Sequence, residues 1–452
     1  MNWQKVKLGS ILTESKIISE NPDTNKRIKV RLKILGVEKR GVENEIEGAT
    51  KQFVRKSGQF IFGKQNFHKG AFGIIPDELD GFESSSDLPA FDIDKSCLPE
   101  FLFYFFKQGN YYLELSKIAY GVATQRINMK EFYELEIPLP SIKEQEILIS
   151  QIKLLEGGGT EISSELTHQL DLIKQLRQAF LREAMQGKLC QGELVEAHET
   201  GHQLLAKIKA EKAQLIADKK LKKEKALPSI TDDEIPFDIP KHWAWCRLGE
   251  VVNEILGGFA FDSTKYSKNE TVNQVIRLGN VKPNQLVLET NPVFINNDYA
   301  NEADKSRLKI GDILITMTGT RAKRDYLFSL CLSEQEFETK SLFLNQRVGC
   351  FRFPNLISNN FINIALKDTK LIEPIFESST GAANQANIGI TALREMLIPL
   401  PPINEQEQIV AKLEELMAFC DGLEQSIKES QRYNEKLLQQ VLREALMGKE
   451  EV

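Results

Sequence analysis

Within the 452-residue chain, the pattern with the sharpest chemical meaning is His198-Glu199-Thr200-Gly201-His202, a literal H-E-x-x-H. On a helix that spacing puts two imidazoles on one face to hold zinc, while the glutamate polarises the metal-bound water, as in zinc peptidases. The surroundings argue against it. Thr200 and Gly201 are poor helix-interior residues and read as the start of the helix that follows, so His198 falls outside that helix, and no third ligand follows in the lysine-rich stretch. Two weaker echoes are present. Asn291-Pro292-Val293-Phe294 is close to a base-gripping loop of amino-methyltransferases, with valine for the second proline and no glycine-rich cofactor motif before it; Glu338-Thr339-Lys340 has an E-x-K spacing met in some nucleases and common by chance. No G-x-x-x-x-G-K-[S/T] loop occurs, so ATP hydrolysis is not indicated. The chain reads as one with no active site, metal site or cofactor of its own. A zinc peptidase on His198, Glu199 and His202 stands as the rival from another class.

Side chains suited to binding are better placed. The loop Gly63 to Gly73 carries Lys64, Gln65, Asn66, His68 and Lys69 directly after a strand-like run, and Arg321, Lys323 and Arg324 follow GDILITMTG in the same way. Arg, Lys, Asn and Gln carry donors and acceptors that match base edges and phosphates. Asn280, in IRLGNV, joins the candidate DNA contacts, as do Gln125, Arg126 and Gln385 in a repeated G-x-A-x-Q segment; bracing of the fold and plain solvation are the competing readings. Net charge does not advertise a DNA binder: 58 Lys and Arg against 64 Asp and Glu leave −6, so a DNA-binding face must be local or completed by a partner.

The elements that must position these residues are written twice. IPLPSIKEQE (137–146) returns as IPLPPINEQE (398–407) and LREAMQGK (181–188) as LREALMGK (442–449), both displaced by 261 residues, from Ile137 to Ile398 and from Leu181 to Leu442. Two helices of equal length would show this. Trp3 with Leu8-Gly9 returns as Trp243 with Leu248-Gly249, and Gly121-x-Ala123-x-Gln125 as Gly381-x-Ala383-x-Gln385, whereas the sequence between these anchors neither repeats nor keeps its length. A fixed frame with variable inserts describes a modular reader.

Steps of four and three residues from Leu148 through Leu155, Ile162 and Gln169 to Phe180, and from Ile409 through Leu423, Ser430 and Leu437 to Val441, land mainly on apolar residues, the sign of paired long helices. Each 45-residue copy would span roughly 68 Å at about 1.5 Å per residue. Gln169 and Ser430 share a seam position, where a polar residue either fixes register or is simply tolerated. Gly187 and Gly448 close the two helices, and Gly157-Gly158-Gly159 predicts a kink or local break in the first. Between the copies, Leu204 to Lys225 is a lysine-rich helical pattern, most simply a solvated face, followed by an extended acidic approach to Trp243. The variable blocks alternate strand-like runs (51–64, 273–281, 311–320, 345–354) with short helices near 98–107 and 359–368. Six scattered cysteines without a C-x-x-C pair indicate reduced thiols. No apolar run approaches the roughly 20 residues needed to cross a bilayer, and no signal-peptide pattern opens the chain, which points to no membrane and a cytoplasmic protein.

The paired IPLPxxxEQExI entries, the twin LREAxxGK exits, the connector from Ala210 to Glu250, and the runs IRLGNV, GDILITMTGT and NQRVG resemble the specificity subunit of type I restriction-modification enzymes over essentially the whole chain. The resemblance implies an α+β fold with a pseudo-twofold internal repeat. Two mixed α/β target-recognition domains (1–140 and 241–401) would be separated by two long antiparallel helices (141–188 and 402–449), with a connector at 189–240. It also implies a noncatalytic reader of double-stranded DNA, each domain taking half of a bipartite target; because Lys51 to Gly73 and Arg277 to Arg324 share no pattern, the halves should differ. The spacer residues Glu144, Gln145, Leu148, Leu181, Arg182, Glu405, Gln406, Leu442 and Arg443 would dock two modification subunits, and restriction subunits would complete the assembly. S-adenosylmethionine, ATP and magnesium would belong to those partners. A coiled-coil scaffold without DNA contact is the remaining alternative. Two departures from the family are the glycine triplet, which bears on spacer rigidity, and Gly58-Gln59 where the family often has Gly-Asp, as at Gly311-Asp312, which should touch only a turn.

Overall fold

Both I-P-L-P runs fold as short strands, and each pairs antiparallel with the strand beside a tryptophan. Gln4–Lys7 meets Glu136–Leu139 with Val6 opposite Ile137, and Ala244–Arg247 meets Leu397–Leu400 with Cys246 opposite Ile398. The repeated anchors are therefore the two edges of one clasp, made twice. The computed structural model describes residues 3–41, 50–108, 111–121, 125–190, 199–382 and 384–447; His198, Ala123, Ala383 and Gly448 lie outside them. The chain divides into two units, residues 1–170 with 425–452, and residues 171–424.

The helices that matter are α1 (Pro99–Lys107), α2 (Ile142–Met185), α3 (Gly201–Ala217), α4 (Asn359–Ala365) and α5 (Ile403–Met447). The principal strands are β1 (Leu12–Glu14), β2 (Phe60–Phe62), β3 (Phe72–Ile74) and β4 (Ala90–Ile93) in the first unit, and β5 (Glu254–Leu256), β6 (Ile313–Thr316), β7 (Ser329–Cys331) and β8 (Val348–Arg352) in the second. Each set forms one antiparallel sheet, ordered β1-β4-β2-β3 and β5-β8-β6-β7, so the two sheets share one topology although their sequences do not align.

The first core is aromatic. Phe60, Phe62, Phe72 and Phe91 of the sheet pack with Phe101, Phe105 and Phe106 of α1, with ring centroids 5.5 Å apart for Phe60–Phe106 and 5.4 Å for Phe62–Phe91. The second core is mainly aliphatic, with Ile313, Ile315, Phe361 and Ile362 around the buried Trp243. The second unit adds a three-stranded sheet in which Asn273–Ile276 runs parallel to Ser341–Leu344 and antiparallel to Phe294–Ile295. The strand expected over 273–281 breaks after Ile276, because the Asn280 side chain closes a turn by accepting from the Arg277 amide at 2.9 Å.

Both long helices form, and within each unit they run antiparallel. In the first, Asn434 and Gln431 reach Gly159 and Thr167; in the second, Arg177 binds Asp421 and Glu424, so partners descend along α5 as they ascend along α2. Three expectations need correction. α2 continues unbroken through Gly157-Gly158-Gly159, because Asn434 Nδ2 donates to the Gly159 carbonyl at 2.9 Å and to Ser163 Oγ at 3.0 Å, tying that turn to the neighbouring helix. Gln169 and Ser430 are not register residues: Gln169 bonds Glu165 and Ser430 bonds the Ser426 carbonyl, each within its own helix. The facing residues of α5 in the first unit are Gln431, Asn434, Leu438 and Leu442, while Leu437 is 63% exposed. A strict 3.5-residue count slides off the contact line of a 3.6-residue helix by about 20° per heptad. Finally, the lysine-rich helix ends at Ala217, not Lys225, and its Lys212 donates to the Gly249 and Val252 carbonyls at 2.9 and 2.7 Å.

Candidate nucleic-acid interface

The matching sheets turn a loose analogy between two loops into a structural equivalence. The β2–β3 connection carries Lys64 to Lys69 and the β6–β7 connection carries Arg321 to Arg324, the same position in the two sheets. Each is braced by the G-x-A-x-Q segment. In the first unit the Ile127 amide, next to Arg126, donates to the Lys64 carbonyl at 2.9 Å; in the second, Thr320 pairs with Gln385, and the Arg321 amide donates to the Asn384 carbonyl at 2.7 Å. The structure thus brings Gln125 and Arg126 to the first loop and Gln385 to the second.

Within the first loop the side chains separate by direction. Residues 67–69 form one 3-10 turn that buries Phe67 and His68 and exposes Lys69. His68 is only 9% exposed, its Nδ1 has no partner, and burial, with Lys69 beside it, holds its pKa below the usual imidazole value. The expected His68 contact is therefore corrected: it faces the interior. Lys64, Gln65 and Asn66 are half-buried and Gln125 is exposed. Arg126 pairs with Asp87 at 3.1 Å.

In the second loop Arg321, Lys323 and Arg324 are all exposed. Arg321 Nη2 donates to the Ser379 carbonyl at 3.1 Å. Arg324 makes a bidentate pair with Glu373 at 2.9 and 2.6 Å and lies 4.9 Å over the Phe376 ring, so among the described residues Arg321 and Lys323 are the cations of this loop without an ion pair. Asn280 is corrected as well. It is 2% exposed, and its amide donates to the Val287 and Thr290 carbonyls at 3.0 and 3.1 Å, so it braces a loop and has no donor left for DNA.

The Gly58-Gln59 and Gly311-Asp312 difference reaches further than a turn. Arg352 on β8 grips Asp312 at 2.8 and 3.0 Å, whereas Gln59 donates to Asp92 on β4 at 2.8 Å. The acid has moved to the other strand and the arginine is replaced by an amide, so each unit keeps a cross-strand polar pair.

Most spacer-helix residues expected to meet partners are used inside this chain. Gln145 is fully buried: its Oε1 accepts from the Leu98 amide at the start of α1 (2.7 Å) and its Nε2 donates to the Ser96 and Pro140 carbonyls (2.9 and 2.8 Å). Gln406, equally buried, accepts from the Ser358 amide at the start of α4 (2.9 Å) and donates to the Pro401 carbonyl (2.8 Å). The repeated E-Q pair is thus a brace between each long helix and the short helix of its own unit. Leu442 lies in the first core and Leu148 packs against it; Leu181 is buried in the second unit, and Glu405 is buried against His242 at 2.9 Å. Glu144 caps its helix through Ser141, whose hydroxyl and amide bonds lower the Glu144 carboxyl pKa. Arg182 is half-buried beside Thr369, and Arg443 is exposed. In the H-E-x-x-H segment, Thr200 is the N-cap of α3, with its side chain accepting from the Gln203 amide, so Glu199 precedes the helix and pairs with Lys207 while His202 lies within it. His198 lies outside the described residues, and Glu199 and His202 do not share one helix as a zinc peptidase needs.

One cluster escaped the sequence reading. Arg277, Asn291, Gln346 and Arg347 line a cleft in the second unit, and its only sequence signal is the glycine-free turn Asn345-Gln346-Arg347 between two strands.

Two antiparallel sheets of one topology, each joined to halves of two long antiparallel helices, define a class that sequence comparison names. The family model for the type I restriction modification DNA specificity domain matches residues 1–172 and again 240–430, and the chain belongs to that family. Among its relatives, the type I restriction enzyme EcoAI specificity subunit of Escherichia coli is 32% identical over 57% of this chain, and the EcoEI specificity subunit of Escherichia coli is 28% identical over 58%. The chain spans 42% and 43% of the length of those two proteins. A solved chain from work on complex assembly and conformational transition of the type I R-M system shares the fold, with a TM-score of 0.62 at 17% identity, covering 98% of this chain and 97% of that one. No helix among the described residues is long and apolar enough to cross a membrane.

Proposed function

We propose that this chain is the DNA-reading specificity subunit of a type I restriction-modification complex. The observation that carries the reading is the repeated family match over two units of one topology, each presenting cations on the same strand connection. Each unit reads one half of a split double-stranded target, with the long helices as spacer. The halves differ, because the loop that carries Lys64, Gln65 and Asn66 in one unit carries Arg321 and Lys323 in the other. The chain itself performs no chemistry: two modification subunits supply adenine methylation from S-adenosylmethionine, and restriction subunits use ATP and magnesium. The complex works in the cytoplasm.

The test is a complex of this chain with its modification partner, assayed for binding to its methylated target sequence. Arg321→Gln with Lys323→Gln spares the Arg324–Glu373 pair, and it should weaken binding about tenfold or more, since each lost contact is worth roughly 1–3 kcal/mol. Unchanged binding removes this loop from the reading, and a complex that binds no DNA returns the chain to the scaffold alternative.

A further inference from the structure

The cleft at Arg277 and Arg347 has a volume of about 460 Å³ and is formed by three converging loops, residues 277–280, 290–291 and 345–347. Its lining holds two arginines, the amides of Asn291, Asn345 and Gln346, and no carboxylate. In a chain whose acids outnumber its bases by six this is unusual. Elsewhere in the second unit Arg247, Arg307, Arg324, Arg352 and Arg394 each pair with an acid. Arg347 is exposed and has no partner among the described residues. Arg277 is anchored, its Nη2 donating to the Asn291 carbonyl at 2.6 Å, while its Nε is shielded from solvent and unbonded.

The turn carrying Arg347 is held firmly. The Asn345 amide donates to the Ile276 carbonyl at 3.0 Å and the Gln346 amide to the Phe259 carbonyl at 3.2 Å. Gly258, at φ +71°, lets the neighbouring segment pass so close that a Cβ would lie 2.4 Å from the Asn345 carbonyl group, so no other residue fits there. Across the cleft, Gly279 has open space where its Cβ would be, so a ligand can approach its backbone closely. Two guanidinium groups lining one concave, acid-free, amide-lined site suit an oxyanion better than a base edge, which needs a side chain projecting into a groove.

Building on the DNA-reading function above, we propose that this cleft seats a backbone phosphate of the bound DNA, with Arg347 supplying the charge and Arg277, anchored to the Asn291 carbonyl, fixing the 290–291 loop. Among the described residues, the first unit places no free arginine at the equivalent turn. Its corresponding turn, before β4, carries Asp87, already held by Arg126. This anchor therefore belongs to the second half-site.

The experiment uses this chain assembled with its modification partner and measures affinity for the target duplex and for a scrambled duplex across a salt series. Arg347→Gln should weaken both about equally, by roughly tenfold, and reduce the slope of log affinity against log salt by about one, with Arg347→Lys retaining most of both. The methylated sequence should stay the same. An unchanged salt slope overturns the phosphate seat, and so does a changed methylation sequence, which would make Arg347 a base reader. Wild-type complex that fails to bind duplex DNA would instead sink the DNA-reading function itself.

Discussion

Gln145→Leu is the most informative single change, because the repeated E-Q pair otherwise reads as a docking motif. Leucine nearly matches glutamine in volume, so no cavity term enters. What is lost is three hydrogen bonds in a fully buried site: acceptance from the Leu98 amide at 2.7 Å and donation to the Ser96 and Pro140 carbonyls at 2.9 and 2.8 Å. At about 1 kcal/mol for each bond, before any penalty for the polar groups left unpaired, the loss is about 3 kcal/mol at least. In a unit of roughly 200 residues, where 1 kcal/mol moves the midpoint by about 2–4 °C, this lowers Tm by roughly 6–12 °C. Gln145→Glu should be worse, since it keeps the acceptor for Leu98 but sets a second carboxylate oxygen against two carbonyls in a buried site. Thermal and urea unfolding of the full chain, with the exposed Glu146→Gln as control, provides the measurement. If Gln145→Leu melts within about 0.5 kcal/mol of the control, the brace is wrong; if it melts normally yet no longer co-purifies with the modification subunit, docking is the right reading.

Two further outcomes follow from the same geometry. Gly158 is helical, exposed and has open space at its Cβ position; Gly158→Ala should raise the urea midpoint by an amount worth about 1 kcal/mol, whereas a loss would indicate that the helix bends there. His68 holds its pKa below the usual value of about 6.5, so the unfolded chain binds a proton there that the folded chain resists. Its contribution should be absent above that ordinary value, set in as a loss of stability when pH falls through it, and be complete only below the lowered folded value. Melts between about pH 8 and 5 should show a shallower decline for His68→Gln, and an identical decline in both proteins would place the titration elsewhere.

The amino-acid sequence determined the frame: a 261-residue offset, two long helices, short strands between glycine turns, and one loop in each half where cations collect. Those features are local, carried by helix and strand periods and by repetition, and need no knowledge of distant contacts. Tertiary structure alone decided what each polar side chain faces. Gln145 meets Leu98 across 47 residues and Arg324 meets Glu373 across 49, so neither partner was visible in the pattern around it. The same holds for the glycine triplet, whose helix is secured by Asn434, 275 residues beyond Gly159. Side-chain direction in the two loops followed from the turns they fold into, which bury His68 and Asn280 while exposing Lys69. An arginine gains meaning as a ligand site only when its surroundings lack acid, and at Arg347 that is a property of three loops brought together by the fold.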